Sequence, residues 1–208
     1  METVGVLALQ GGYQRHADCL AQLGVPWRLI SCAEDLDGCR ALILPGGEST
    51  CMTRLIEARA LLPALHDFAQ AHPVMGTCAG LILMARSDDP RVAALGLLDV
   101  VVARNAYGRQ AQSFTVPLAL GPGQGGEVFP GVFIRAPQIL RTGPRVEVLA
   151  CHAGRPVLVA QGPHLGMCFH PELTSDPRIY VEWLRRTAEG LRRTRPSADT
   201  AGQRRQTA

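Results

Sequence analysis

Between residues 3 and 85 the chain alternates short apolar runs with segments of helical spacing, and this alternation restricts its possible folds more than any other feature. Thr3–Gln10, Trp27–Ile30, Ala41–Leu44 and Pro73–Thr77 have strand length, and Gly11-Gly12, Gly24 and Pro45-Gly46-Gly47 punctuate the series. Tyr13–Leu23, Thr50–Ala71 and Ala79–Ala85 read as the intervening helices. Strands joined through helices lie parallel, because the chain must cross back over the sheet before the next strand starts. The expected class is α/β, a three-layer sandwich around a mainly parallel central sheet.

After residue 95 the pattern changes. Leu97–Ala103, Ser113–Leu118, Gly131–Ile134, Val146–Ala150, Pro156–Gln161 and Leu165–Phe169 are strand-like and separated by Gly/Pro-rich connections. This predicts antiparallel strands added to the sheet edge, with one strand returning to the centre and Pro177–Leu191 as a closing helix. Residues 1–190 are expected to form one domain and 191–208 an arginine-rich, disordered tail. Residues 190–208 hold five arginines and one acid, a local charge of +4, so residues 1–189 carry −1 of the total +3. The basic balance thus belongs to the tail, and aromatics are only 5% of the chain. No nucleic-acid surface is expected from such a distribution. No apolar run reaches the roughly 18 residues of a membrane span, and the start Met1-Glu2-Thr3-Val4 lacks a secretory pattern. A cytoplasmic protein with no membrane partner is expected.

The chemistry concentrates in three segments. Gly76-Thr77-Cys78-Ala79-Gly80 stands where an apolar strand turns directly into a helix. It has the small-x-nucleophile-x-small form of a nucleophile elbow, because a tight strand-to-helix turn crowds the positions two before and two after. The following helix points its N-terminus at the thiol, which favours the thiolate. An ordinary buried cysteine in a βα turn is the plainer reading. His170-Pro171-Glu172 follows the strand Leu165–Phe169, and residues i and i+2 of an extended segment project to one side. His170 can then take a proton from Cys78, while Glu172 fixes the imidazole tautomer. Pro45-Gly46-Gly47-Glu48-Ser49-Thr50 exposes backbone N–H groups that, with that of Ala79, can bind an oxyanion. A plain turn with a helix cap at Ser49 is its alternative. A phosphate loop is excluded, since the required lysine is missing and the chain has no lysine at all. That absence also excludes imine formation on this chain. The odd count of seven cysteines, irregularly spaced, fits neither a disulfide framework nor a zinc site, and no metal or cofactor is expected.

These blocks together resemble the class I triad glutamine amidotransferases, and more narrowly the PdxT family, the glutaminase subunit of pyridoxal 5′-phosphate synthase. The resemblance runs over Gly5–Gly11, Leu44–Thr50, Gly76–Gly80, Arg104–Gln110, Phe133–Pro137 and Phe169–Leu173. It implies Cys78 as nucleophile, His170 and Glu172 as relay, and Gly46, Gly47, Glu48, Arg104, Ile134 and Arg135 as glutamine-binding positions. Gly47 and Ala79 would form the oxyanion hole. An arginine fork suits the substrate carboxylate, so Arg104 or Arg135 fits that role. The resemblance further implies L-glutamine as substrate and, as partner in a large hetero-oligomer, the lysine-bearing synthase (lyase) subunit. Ammonia would pass to that partner, whose docking completes the oxyanion loop. A stand-alone cysteine hydrolase or peptidase on the same elbow, and a non-catalytic regulatory binding subunit, remain open alternatives.

Overall fold

A computed structural model describes residues 2–87, 89–104, 113–121 and 128–194. Residues 105–110 of the Arg104–Gln110 segment and 195–208 of the tail lie outside the described residues. In chain order the first half contains β1 (Thr3–Leu7), α1 (Tyr13–Gln22), β2 (Trp27–Ile30), β3 (Cys39–Leu44), α2 (Ser49–Ala58), α3 (Leu62–Ala71), β4 (Val74–Thr77) and α4 (Ala79–Met84). The second half contains β5 (Val100–Ala103), β6 (Ser113–Ala119), β7 (Val128–Ile134), β8 (Gln138–Thr142), β9 (Glu147–His152), β10 (Arg155–Gln161), β11 (His164–Met167) and α5 (Arg178–Thr194).

Seven strands form the main sheet in the order β2-β1-β3-β4-β11-β10-β9. The first five of these are mutually parallel, and β10 and β9 continue the sheet antiparallel. The fold is therefore α/β with a mainly parallel sheet and antiparallel additions, as the alternation predicts. β11 is the strand that returns to the centre. Only β9 and β10 extend the sheet edge, however; β5 pairs with β8 and β6 with β7 in two separate ribbons. The sequence reading has no counterpart for β8, whose run Gln138-Ile139-Leu140-Arg141-Thr142 has one buried residue, Ile139, and lacks the apolar continuity used to find the others.

Burial explains which strands are central. Leu42, Ile43 and Leu44 of β3 are fully buried, and so are Val74 and Met75 of β4. Such continuous apolar runs are required where both faces of a parallel sheet are covered. Each of these large side chains contributes roughly 1.5–3 kcal/mol by leaving water. The chain goes from β1 outward to β2, then back past β1 to β3. Right-handed crossovers that reverse direction in this way leave a crevice between the carboxyl ends of β1 and β3. The Gly11-Gly12 and Gly46-Gly47 turns leave from that crevice.

The expected single helix Thr50–Ala71 is two helices. After the C-cap Arg59, Ala60 takes φ 51°, Leu61 N–H donates to Ile56 O at 2.9 Å and Ala60 N–H to Glu57 O at 2.9 Å. This is a Schellman ending with alanine in the left-handed position where glycine is usual, so the sequence carries no stop signal there. Leu61, buried at the break, and Pro63 in the next helical turn settle the new direction.

The two kinds of turn residue make opposite predictions for stability. Ala60→Gly relieves a left-handed alanine and is expected to stabilise by about 0.5–1 kcal/mol. Gly80→Ala would drive a methyl into the Leu44 carbonyl and is expected to destabilise by about 1–3 kcal/mol. Urea denaturation of the two variants beside the parent chain checks both signs.

Candidate active site

Cys78 occupies the turn between β4 and α4 with φ 48° and ψ −101°, a backbone conformation that L-residues avoid. The surroundings enforce it. Cys78 N–H donates to Met167 O of β11 at 2.9 Å, and its carbonyl accepts from Ile82 N–H at 3.3 Å. Gly76 and Gly80 abut each other, and a Cβ on Gly76 would stand 2.5 Å from Met84 Sδ and 2.7 Å from Gly80 C. The elbow spacing therefore reflects backbone contact at both small positions. Such strain is tolerated where it presents a side chain for chemistry.

β11 brings His170 to this turn. Met167 pairs with Thr77, so the two strands end side by side and Cys78 and His170 follow from neighbouring strand ends. Phe169 packs against Phe129 and Phe133 of β7, with ring centroids 5.6 and 5.8 Å away, and His170 N–H donates to Val132 O at 2.8 Å. His170 then leads into a single 3-10 turn, Pro171–Leu173. That turn folds Glu172 back so that its Oε1 meets His170 Nδ1 at 2.6 Å. The sequence reading expected an extended His-Pro-Glu segment; the two side chains meet through a turn instead. On its other side His170 faces the cavity that Cys78 also lines.

Charge is concentrated here in a nearly dry setting. Cys78, His170 and Glu172 are each less than a tenth exposed. Burial alone would lower the pKa of His170, but its contact with Cys78 and its hydrogen bond to the negatively charged Glu172 outweigh that and push it up to about 10. For Glu172 burial acts upward, and the neighbouring His16 and His170 together with the His170 hydrogen bond overcome it, so its pKa lies below the ordinary carboxylate value. His16 is itself held neutral, because burial outweighs the pull of Glu172. It acts on that carboxylate as an oriented dipole and not as a full cation.

A cavity of about 270 Å³ opens beside Cys78 and His170, lined by Gly47, Glu48, Thr50, Arg104, Ile134, Arg135 and others. Of the predicted positions, Gly46 lies against the imidazole, and a Cβ there would stand 2.9 Å from His170 Nδ1 and closer still to Cε1. Its carbonyl accepts from Gly12 N–H at 3.0 Å, which turns the Gly47 N–H of the same trans peptide the opposite way. Ala79 is fully buried at the start of α4. Ile134 puts its carbonyl 3.9 Å from Cys78 Sγ. Arg135 has φ 44°, a second left-handed residue, and no acidic partner among the described residues. Arg104 is different: it is ion-paired to Asp89 and donates to Thr50 Oγ1 at 3.3 Å. Glu48 is the N-cap of α2, accepting from Thr50 N–H at 3.1 Å and Cys51 N–H at 2.6 Å, so the cap falls one residue before the Ser49 alternative.

Two of the lining or supporting residues, Arg91 and Asp89, lie in a loop and had no motif to reveal them. Gln10, whose Oε1 accepts from Glu48 N–H at 3.0 Å, falls within the Gly5–Gly11 stretch of the resemblance without a role assigned to it. His16, beneath Glu172, falls on the buried stripe of α1 with Ala17 and Leu20 and matches the histidine usual in the first helix of the family, but neither signal gives its partner. All seven cysteines are free thiols. Among the described residues there is no His/Cys/Asp/Glu cluster fit for a metal, and no helix is long and apolar enough to cross a membrane.

Known proteins are similar to this chain in sequence and in fold. A model of the SNO glutamine amidotransferase family matches residues 6–189. The chain is 42% identical over 183 residues to a Francisella tularensis subsp. tularensis protein named pyridoxal 5′-phosphate synthase subunit PdxT, covering 88% of this chain and 98% of that one. The subsp. novicida protein of the same name is also 42% identical over the same coverage. A crystal structure described as a glutamine amidotransferase superposes with TM-score 0.82 at 42% identity, covering 89% of this chain and 98% of its own. A putative GMP synthase protein from Thermoplasma acidophilum matches with TM-score 0.67 at 18% identity, covering 92% of this chain and 96% of that one, which bears on the fold alone.

The electrostatics predict a pH dependence of stability. His170 binds its proton more tightly when folded, so its contribution is complete below about 6.5 and is lost as pH rises toward about 10. Glu172 binds its proton less tightly when folded, so its contribution is present above the ordinary carboxylate pKa and is lost as pH falls through the lower folded value. NMR titration of the His170 imidazole should give a midpoint well above 6.5 that falls in both Cys78→Ala and Glu172→Gln. An unmoved midpoint in both variants contradicts this account of the charge.

Proposed function

The chain belongs to the SNO glutamine amidotransferase family, and from that membership we propose that it is the glutaminase subunit of a pyridoxal 5′-phosphate synthase, with Cys78, His170 and Glu172 as its catalytic triad. The observation that carries the assignment is the meeting of Cys78 and His170 at one small cavity, from adjacent strand ends, with Glu172 Oε1 held 2.6 Å from His170 Nδ1. A space of about 270 Å³ suits one amino acid better than a peptide.

In this scheme His170 holds the thiol proton of Cys78, and the thiolate attacks the side-chain amide carbon of L-glutamine. The carbonyl oxygen becomes an oxyanion, received by the N–H groups of Gly47 and Ala79. As the C–N bond breaks, His170 returns the proton to the departing nitrogen, which leaves as ammonia. A γ-glutamyl thioester remains on Cys78. Water, losing a proton to His170, attacks that thioester; glutamate leaves and the thiol is restored. Glu172 fixes the Nδ1–H tautomer and stabilises the imidazolium at each transfer.

Arg135 is the candidate for the substrate carboxylate. Arg135 lines the cavity without a competing acid among the described residues, whereas Arg104 is paired with Asp89, a carboxylate that Arg91 also engages. Arg104 and Asp89 then act as a wall that orders Thr50 at the start of α2. Glu48, occupied as a helix cap, supports the oxyanion loop through its backbone more than through its carboxylate. Released ammonia is nucleophilic only while unprotonated, so its direct passage to a synthase partner in a hetero-oligomer is part of the proposal. The absence of lysine is compatible with imine chemistry residing on that partner.

With the synthase (lyase) partner present, Cys78→Ala is expected to lower glutamate release from glutamine by at least about a thousandfold. A glutamine-analogue electrophile should add one mass increment at Cys78 and none in that variant. Retained turnover in Cys78→Ala rejects the nucleophile assignment. Arg135→Ala is expected to raise KM about 10- to 100-fold with a smaller change in kcat, as for loss of a charge-assisted pair to the substrate.

A further inference from the structure

Glu172 uses one carboxylate oxygen on His170 and leaves the other, Oε2, buried without a hydrogen bond. An ionised oxygen so placed is costly unless a dipole or charge compensates it. His16 of α1 stands on that side, with Nε2 3.6 Å from Glu172 Oε2 and 3.3 Å from Thr77 Oγ1. It is fully buried, and its Nδ1 lies 2.7 Å from the Tyr180 hydroxyl of α5.

The tautomer follows from these contacts. A proton on Nδ1 would turn the Nε2 lone pair toward a carboxylate, which is repulsive. With the proton on Nε2, the N–H bonds Thr77 Oγ1 at 3.3 Å and presents its positive end to Glu172 Oε2 at 3.6 Å, while the Tyr180 hydroxyl donates to Nδ1. Burial strongly raises the phenol pKa, so that hydroxyl keeps its proton and remains a donor. Three elements thus meet under the triad: α1 through His16, α5 through Tyr180, and β4 through Thr77, the residue before Cys78.

We propose that His16 is a positioning residue whose neutral Nε2–H faces Glu172 Oε2, keeping that carboxylate ionised and aimed at His170, and that Tyr180 fixes the His16 tautomer. The proposal rests on the assignment of Cys78, His170 and Glu172 as the triad. It extends the line of polar contacts to Tyr180–His16–Glu172–His170–Cys78. The titratable groups facing the cluster are Cys19 on α1 and Tyr180 on α5, besides His170, Glu172 and Cys78 themselves. Cys19 is held protonated by burial and contributes no charge there.

The test reads the His170 imidazole directly, so it does not depend on glutamine being the substrate. In the full-length chain with labelled histidine, His16→Leu removes the donor. Glu172 then holds its proton more tightly, supports the imidazolium less, and the His170 midpoint falls by about one pH unit, a tenfold change. His16→Gln, whose side-chain N–H can reach the Nε2 position, restores most of the shift. Tyr180→Phe, which deletes one hydroxyl and keeps the packing, gives a smaller fall in the same direction. A folded His16→Leu protein with the parent midpoint overturns the proposal. Should that variant not fold, an unmoved midpoint in Tyr180→Phe overturns it equally. Failure of the triad assignment would read differently: glutamine turnover would survive Cys78→Ala while the titration shifts remained.

Discussion

The site depends on one register: the parallel pairing of β11 with β4, in which Met167 stands opposite Thr77 and Cys78 N–H is tied to Met167 O. A strand pairing shifted by one residue turns every side chain to the other face. Here such a shift would also carry His170 away from the sulfur. The register is held from both sides, by buried apolar side chains on β4 and β11 and by the aromatic contacts of Phe169 with β7. The geometry that performs chemistry is thus a by-product of how the centre of the sheet is packed.

Once the two strand ends are fixed, close backbone contact governs the rest. Gly46 admits the imidazole, Gly76 and Gly80 admit each other and Leu44, and Gly11, at φ 89°, admits the Gly46 carbonyl. Around these small residues the polar groups are nearly saturated and nearly dry. A low-dielectric surrounding strengthens each interaction, so the burial that disfavours charge also lets Glu172 and Cys78 raise His170 so far. The two left-handed non-glycine residues of the site, Cys78 and Arg135, show where packing overrides backbone preference.

Much of this was legible from residue order. The elbow pentapeptide, the glycine pair after β3 and the His-Pro-Glu segment each carry local chemistry, and each falls at the cavity. What escaped had no local signature. The break at Ala60 uses alanine where glycine would have signalled a stop, and β8 is a short ribbon strand with little apolar content. The pairing of Asp89 with Arg104 could not be read, because both sit in irregular segments brought together by the fold. His16 was visible as the histidine usual in the first helix of the family and as a polar residue on an apolar helix face, but nothing local showed that it lies beside Glu172.

The sequence by itself determined the parallel α/β class, since alternating strand and helix periods leave little other choice, and it determined which residue types are available for nucleophile, base and orienting acid. Tertiary structure decided that Arg104 pairs with Asp89, which residue caps α2, and that Glu172 meets His170 through a turn and lies beside the buried His16. The physical reason is the range of the forces involved. Periodicity and turn preference act over a few residues, whereas ion pairing, burial and the protonation state of a histidine depend on groups that only the folded sheet brings within a few ångströms.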